Sequence, residues 1–143
     1  MTTLLGRRSA IVVIAAMLVV LLVAACTGRT DIGPVSDESL DRALIAQTSA
    51  TAPRLLRDMT GFGWDEVMVL AEGTTADEIQ SLTGARIITG DRYVSSANLM
   101  VFRAGGQLVK AVMVTPDAFA SADQCRWLGR DVSVSPGPIL RLG

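Results

Sequence analysis

The feature that most constrains the fold is a pair of apolar runs, Ala97 to Ala104 and Gln107 to Val114, separated only by Gly105-Gly106. Two glycines supply the positive φ angles that a two-residue turn demands, so the segment is predicted to be a β-hairpin. With the turn at 105 and 106, residues whose numbers sum to 211 should pair. That register puts Met100, Phe102, Val109, Ala111 and Met113 on a core-facing side, and Leu99, Val101, Arg103, Leu108, Lys110 and Val112 on the other. Arg103 and Lys110 lie toward the turn on the second side, where long stems cover apolar surface while the charges reach water.

The rest of the chain is read around this hairpin. Trp64 to Ala71 is apolar at both alternations, Val67/Val69/Ala71 and Met68/Leu70, which predicts a central strand covered on both faces. Before it, Ser36 is a good N-cap with Asp37 and Glu38 in the first turn. Leu40, Ala43, Leu44, Gln47 and Ala50 follow at helical spacing. Pro53 interrupts that helix, and a second short one carrying Leu55, Leu56 and Met59, or a kink, should follow. After the strand, Thr75 and Glu78 form a capping-box pattern, with Ile79 and Leu82 on one face and Gly84 closing a helix of about two turns. Ile87-Ile88 and Tyr93-Val94 read as weaker extended segments around a Gly90-Asp91 turn. Thr115-Pro116-Asp117 begins either a helix running to Leu128 or a loop, and Ile139 to Leu142 is a last edge strand.

The amino-terminal stretch concerns destination more than fold. Arg7 and Arg8 precede sixteen residues, Ala10 to Ala25, with no charge, proline or glycine. The run is shorter than the ~20 apolar residues that span a bilayer core and ends in small residues, the pattern of a cleavable export signal. At its end stand Val23, Ala24, Ala25 and Cys26. In these four positions the chain resembles the bacterial lipoproteins, whose lipobox is an aliphatic residue, two small residues and a cysteine. The resemblance implies that a diacylglyceryl group joins the Cys26 sulfur and that lipoprotein-processing enzymes cut between Ala25 and Cys26. The mature protein would then be anchored on the extracytoplasmic side of a cell membrane. Because one acyl chain holds a protein only reversibly, the two chains of such a group matter for stable anchoring.

Removing 25 of the 143 residues leaves 118, enough for one domain. We therefore expect a signal peptide at 1–25, a lipidated terminus and flexible tether at 26–36, and a single domain at 37–143. A ten-residue tether spans roughly 15 to 20 Å on average, placing the domain near the bilayer but beyond its headgroups. Without Arg7 and Arg8 the chain carries eleven basic and fourteen acidic residues, a formal charge of −3, which disfavours nucleic-acid binding. Residues 26–84 carry −6 and 85–143 carry +3, halves expected to neutralise one another in the fold, the alternative being a bipolar surface whose basic side faces anionic lipid headgroups.

Catalytic chemistry finds little to work with. Histidine is absent, which removes the usual general base and the commonest metal ligand. With Cys26 alkylated, Cys125 has no intramolecular disulfide partner; it reads as a partly buried small apolar residue or, alternatively, as a redox thiol acidified by Arg126 or an intermolecular disulfide site. Asp65-Glu66 and Asp77-Glu78 are adjacent pairs whose side chains diverge, so neither is a ligand cluster. Nucleophile-elbow and phosphate-loop patterns are absent, and Gly61-Phe62-Gly63-Trp64 precedes a strand, not the helix a dinucleotide fingerprint requires. No catalytic residue, metal or cofactor is expected. Trp64 and Trp127 are the candidates for partner binding, with a core role the alternative.

The expected architecture is α+β: an N-terminal helical layer packed on a short, mainly antiparallel sheet built from 65–71, the hairpin and 139–142. Its order loosely resembles small bacterial lipoprotein domains in which a Trp-Asp-initiated strand, here Trp64-Asp65, is followed by a capped helix, Thr75 to Gly84, and an apolar hairpin, Leu99 to Val114. That resemblance implies no activity. The expected function is a non-catalytic, membrane-anchored envelope module that binds another envelope protein or helps assemble a complex. The alternatives are a carrier of a lipid or hydrophobic small molecule, walled by Met59, Met68, Met100 and Met113, and a cell-wall-acting enzyme that uses carboxylates.

Overall fold

A computed structural model describes residues 32–116, 118–120 and 125–143. The export signal, the lipobox residues Val23, Ala24, Ala25 and Cys26, most of the tether, Asp117 and residues 121–124 lie outside the described residues. In chain order the elements are β1 (Pro34–Ser36), α1 (Glu38–Thr48), β2 (Arg54–Leu55), a 3₁₀ turn (Leu56–Asp58), β3 (Glu66–Leu70), α2 (Ala76–Thr83), β4 (Ala97–Ala104), β5 (Gln107–Pro116), β6 (Leu128–Gly129), β7 (Ser133–Ser135) and β8 (Arg141–Leu142). They build a five-stranded sheet, β1-β5-β4-β3-β6, and a three-stranded sheet, β2-β7-β8.

This corrects the expected architecture. Among the described residues there is no N-terminal helical layer: they form a mixed α/β fold dominated by its sheets, with two short helices that pack on opposite faces of the larger sheet. On one face, Leu40 and Leu44 of α1 meet Val67, Val69, Met100, Phe102, Val112 and Val114, together with Val134, Leu140 and Leu142 from the smaller sheet. On the other, Ala76 and Ile79 of α2, with Ile87, Ile88 and Tyr93, cover Met68, Leu70, Leu99, Val101 and Ala111. The double apolar alternation of β3 and β4 has this cause: each is buried on both sides.

The hairpin forms at Gly105-Gly106, with φ of 56° and 77°, but its register departs from the expected one. Ala104 pairs with Gln107 and Arg103 with Leu108; Phe102 then pairs with Lys110, leaving Val109 as the extra residue of a bulge. A slip of one exchanges the faces. Val112 and Val114 join Met100 and Phe102, whereas Ala111 and Met113 join Leu99 and Val101, and Val109 is left 40 % exposed.

The outer strands also differ from expectation. Pro34–Ser36, read as tether, pairs in parallel with Ala111–Met113 and forms one edge of the larger sheet. Leu128, expected at the end of a helix or in a loop, lies in β6 and pairs with Val67. The expected last strand is cut to Arg141–Leu142 and joins β7 in the smaller sheet. The helix expected after Pro53 is a single 3₁₀ turn, whereas α2 starts at the Thr75 cap and stops at Gly84, φ 78°, as the sequence predicts. Asp37, not Ser36, caps α1 by accepting from the Leu40 N–H at 3.1 Å.

Candidate partner-binding surface

The carboxylates that open β3 have separate structural tasks. Asp65 lies outside the strand and accepts from the Gly105 N–H at 2.8 Å, tying the hairpin turn to the neighbouring strand. Glu66 sits directly opposite Arg103 in the antiparallel pair, and the Arg103 Nε donates to Glu66 Oε2 at 2.7 Å. This charge-assisted bond, more than the nearby charge alone, holds the Glu66 carboxyl below its ordinary range and raises the Arg103 guanidinium.

Glu66 thereby aims the guanidinium over the Trp127 ring, 4.0 Å from its centroid. The indole Nε1 donates to the Leu82 carbonyl at the end of α2, 3.2 Å away, which fixes the ring from its other edge. Trp127 and Arg103 are both half-buried, the Arg103 side chain being 27 % exposed and that of Glu66 37 %. The result is a carboxylate, a guanidinium and an indole held in sequence at the hairpin end of the larger sheet. Arg and Trp are the residue types on which protein interfaces most depend, and here both are ordered before any partner arrives.

The second sequence candidate lies elsewhere. Trp64 is only 2 % exposed, packs at 5.3 Å against Phe102 on the α1 face and donates its Nε1 to Thr60 Oγ1 at 2.8 Å. It belongs to the core and not to a binding surface. Phe62 meets Phe102 edge-on at 5.0 Å, and Lys110 lies over the Phe62 ring at 4.5 Å. Arg103 and Lys110, expected on one side of the hairpin, therefore serve opposite faces because of the bulge.

The chemistry of the remaining candidates is structural. A cleft of about 360 Å³ is lined by Asp37, Glu38, Asp41, Ser95, Met113 and Thr115. Asp37 binds Lys110 Nζ at 2.6 Å, and Asp41 accepts from both N–H and Oγ1 of Thr115, at 2.6 and 2.5 Å. Thr115 is the extra residue of a second irregularity in β5, so Asp41 satisfies backbone that the ladder releases there. Among the described residues no group of three or more acidic or cysteine side chains is arranged to hold a metal. Met59, Met68 and Met100 fill the two cores, and Met113 lines the cleft beside α1. Cys125 is exposed, at φ 60°, but partial burial of its thiol and then the Glu78 charge push its pKa up, the opposite of the Arg126 effect a redox thiol needs.

Sequence reading did not find Arg103 and Glu66 as a unit. They are 37 residues apart, and only the β3–β4 register makes them neighbours. Comparison with protein-family models, with curated proteins and with solved structures finds no match for this chain.

Proposed function

We propose that this chain is a membrane-anchored envelope lipoprotein that acts without catalysis, binding another envelope protein through the Arg103–Trp127 surface. The observation that carries the binding reading is the immobilised Arg103–Trp127 stack, braced by Glu66 and the Leu82 carbonyl. The location follows from Val23, Ala24, Ala25 and Cys26, through the likeness to bacterial lipoproteins. Lipid on Cys26 confines the domain to one boundary, and confinement raises its effective concentration toward partners held at the same boundary. A modest half-exposed surface then suffices for binding that would be too weak between freely diffusing molecules.

Crosslinking in intact cells followed by mass spectrometry tests the proposal. The wild-type protein is expected to capture a specific envelope protein that Trp127→Ala and Arg103→Ala lose, since loss of an interface anchor costs about 2 kcal/mol or more. Intact mass of membrane-fraction protein should show loss of residues 1–25 and a gained diacylglyceryl group. Capture that survives both substitutions removes the surface from the proposal, and an unmodified Cys26 removes the anchor.

A further inference from the structure

We propose that the concave surface beside the chain's entry into the larger sheet is the face this protein lays on the lipid bilayer; this rests on the Cys26 anchor proposed above. The hollow, of about 390 Å³, is lined by Gly33, Pro34, Ile88, Arg92, Tyr93 and Val94 among others. Pro34 is already in register with Ala111, so the strand begins where a tether was expected to continue. Between Cys26 and Gly33 there remain seven residue steps. These reach at most ~25 Å when fully extended.

That length decides the orientation. The headgroup layer outside the hydrocarbon is itself ~5 to 8 Å deep, so Gly33 can lie no farther than about 20 Å from its outer surface. Turning the opposite face to the membrane would require the tether to pass round the domain. For a domain of this size, whose radius of gyration is about 13 Å, that path exceeds ~40 Å, more than the tether's full extension. The surface around Gly33 is therefore the one presented to lipid.

Its chemistry suits an interfacial contact. Val94 projects there at 76 % exposure, the highest among the exposed large aliphatic residues described, and Ile87 and Ile88 form a buried apolar floor behind it. The Tyr93 hydroxyl is buried without a hydrogen-bond partner, the Ser95 hydroxyl lying near it but outside bonding geometry. Among the described residues that line the hollow, Arg92 is the one with a charge, so attachment rests on the short tether and the apolar tip and not on a basic cluster.

The test uses the full lipidated protein in vesicles of phosphatidylethanolamine and phosphatidylglycerol that carry a headgroup-level spin-labelled lipid. A fluorophore is placed through Val94→Cys or through Ile139→Cys, each combined with Cys125→Ser. Ile139 is also apolar, 55 % exposed, and adjoins Leu140 in the core on the other side of the larger sheet. Quenching at 94 is expected to exceed that at 139 severalfold, with a blue-shifted emission at 94 alone. Equal quenching at the two positions in protein whose intact mass shows the lipid overturns the bilayer face and leaves the anchor standing. A mass without lipid overturns both.

Discussion

Asp37 shows how one side chain serves several elements. It caps α1 through the Leu40 N–H and pairs with Lys110 Nζ, thereby joining a helix start to the middle of β5. The Lys110 hydrogen bond first, and the Leu40 N–H second, lower its carboxyl pKa from the ordinary 3.8. A carboxyl depressed in the folded state contributes stability that is fully present above its unfolded pKa and is lost as pH falls through the folded one. Replacing Asp37 by Ala is expected to cost about 1 to 2 kcal/mol at pH 7, the range of a lost cap plus a lost charged bond. The Asp37→Asn variant retains a cap oxygen but has no charge to titrate. Urea denaturation of both proteins from neutral pH downward should show the wild-type advantage over Asp37→Asn shrinking below about pH 4, the unfolded carboxyl range. An advantage that stays constant down to the acid limit would refute the assigned role.

At the level of elements, the part legible in the sequence is the part fixed by local chemistry. Thr75, Glu78 and Gly84 delimit α2 because a side-chain cap and a left-handed stop act within one turn. The Gly105-Gly106 turn is legible for the same reason. The hairpin register is not: apolar residues occupy both faces of β5, and the one charge that the slip carries to the α1 side, Lys110, finds its partner in Asp37, 73 residues away. Nor do the outer strands β1, β6 and β8, two or three residues each, extend far enough to display an alternation. Such short edges also limit unwanted pairing with other chains. Of the two tryptophans, nothing local separates Trp64, buried on Phe102, from Trp127, stacked under Arg103. The bulge makes a sharp prediction about deletions. Removing Val109 should join the two registers without moving Val112 or Val114 from the core, for a change of roughly 1 kcal/mol, as for other tolerated sites. Removing Val101 instead reverses the faces of Leu99 and Met100 and should abolish cooperative unfolding. Circular dichroism and urea melts of both deletions test the assignment, which fails if they are equally damaging.

For the whole molecule, the question is how the three-stranded sheet, whose strands are only two or three residues long, stays attached to the rest. Apolar burial of Val134, Leu140 and Leu142 supplies most of the attachment, and such burial has little directional preference. Direction comes from Gln47, the last buried residue of α1, which is 5 % exposed. Its Nε2 donates to the Ala52 carbonyl at 2.8 Å and to the Val134 carbonyl of β7 at 2.9 Å. One amide thus closes the turn after α1 and pins the smaller sheet to that helix, while the Leu56 N–H extends the β2–β7 pairing by donating to the Val132 carbonyl at 3.0 Å. In Gln47→Leu the side-chain volume is nearly kept but two carbonyls lose their donor, one of them in a buried setting, so a loss of roughly 1 to 3 kcal/mol is expected. That loss should fall unevenly. Local opening follows the weakest cooperative unit, so amide exchange in Leu55, Val134 and Leu142 should accelerate more than exchange in Val67, Val69 and Val101. A uniform acceleration across both sheets would mean that they open as one body and that Gln47 adds only to global stability; no acceleration in the smaller sheet would mean that apolar packing alone holds it in place.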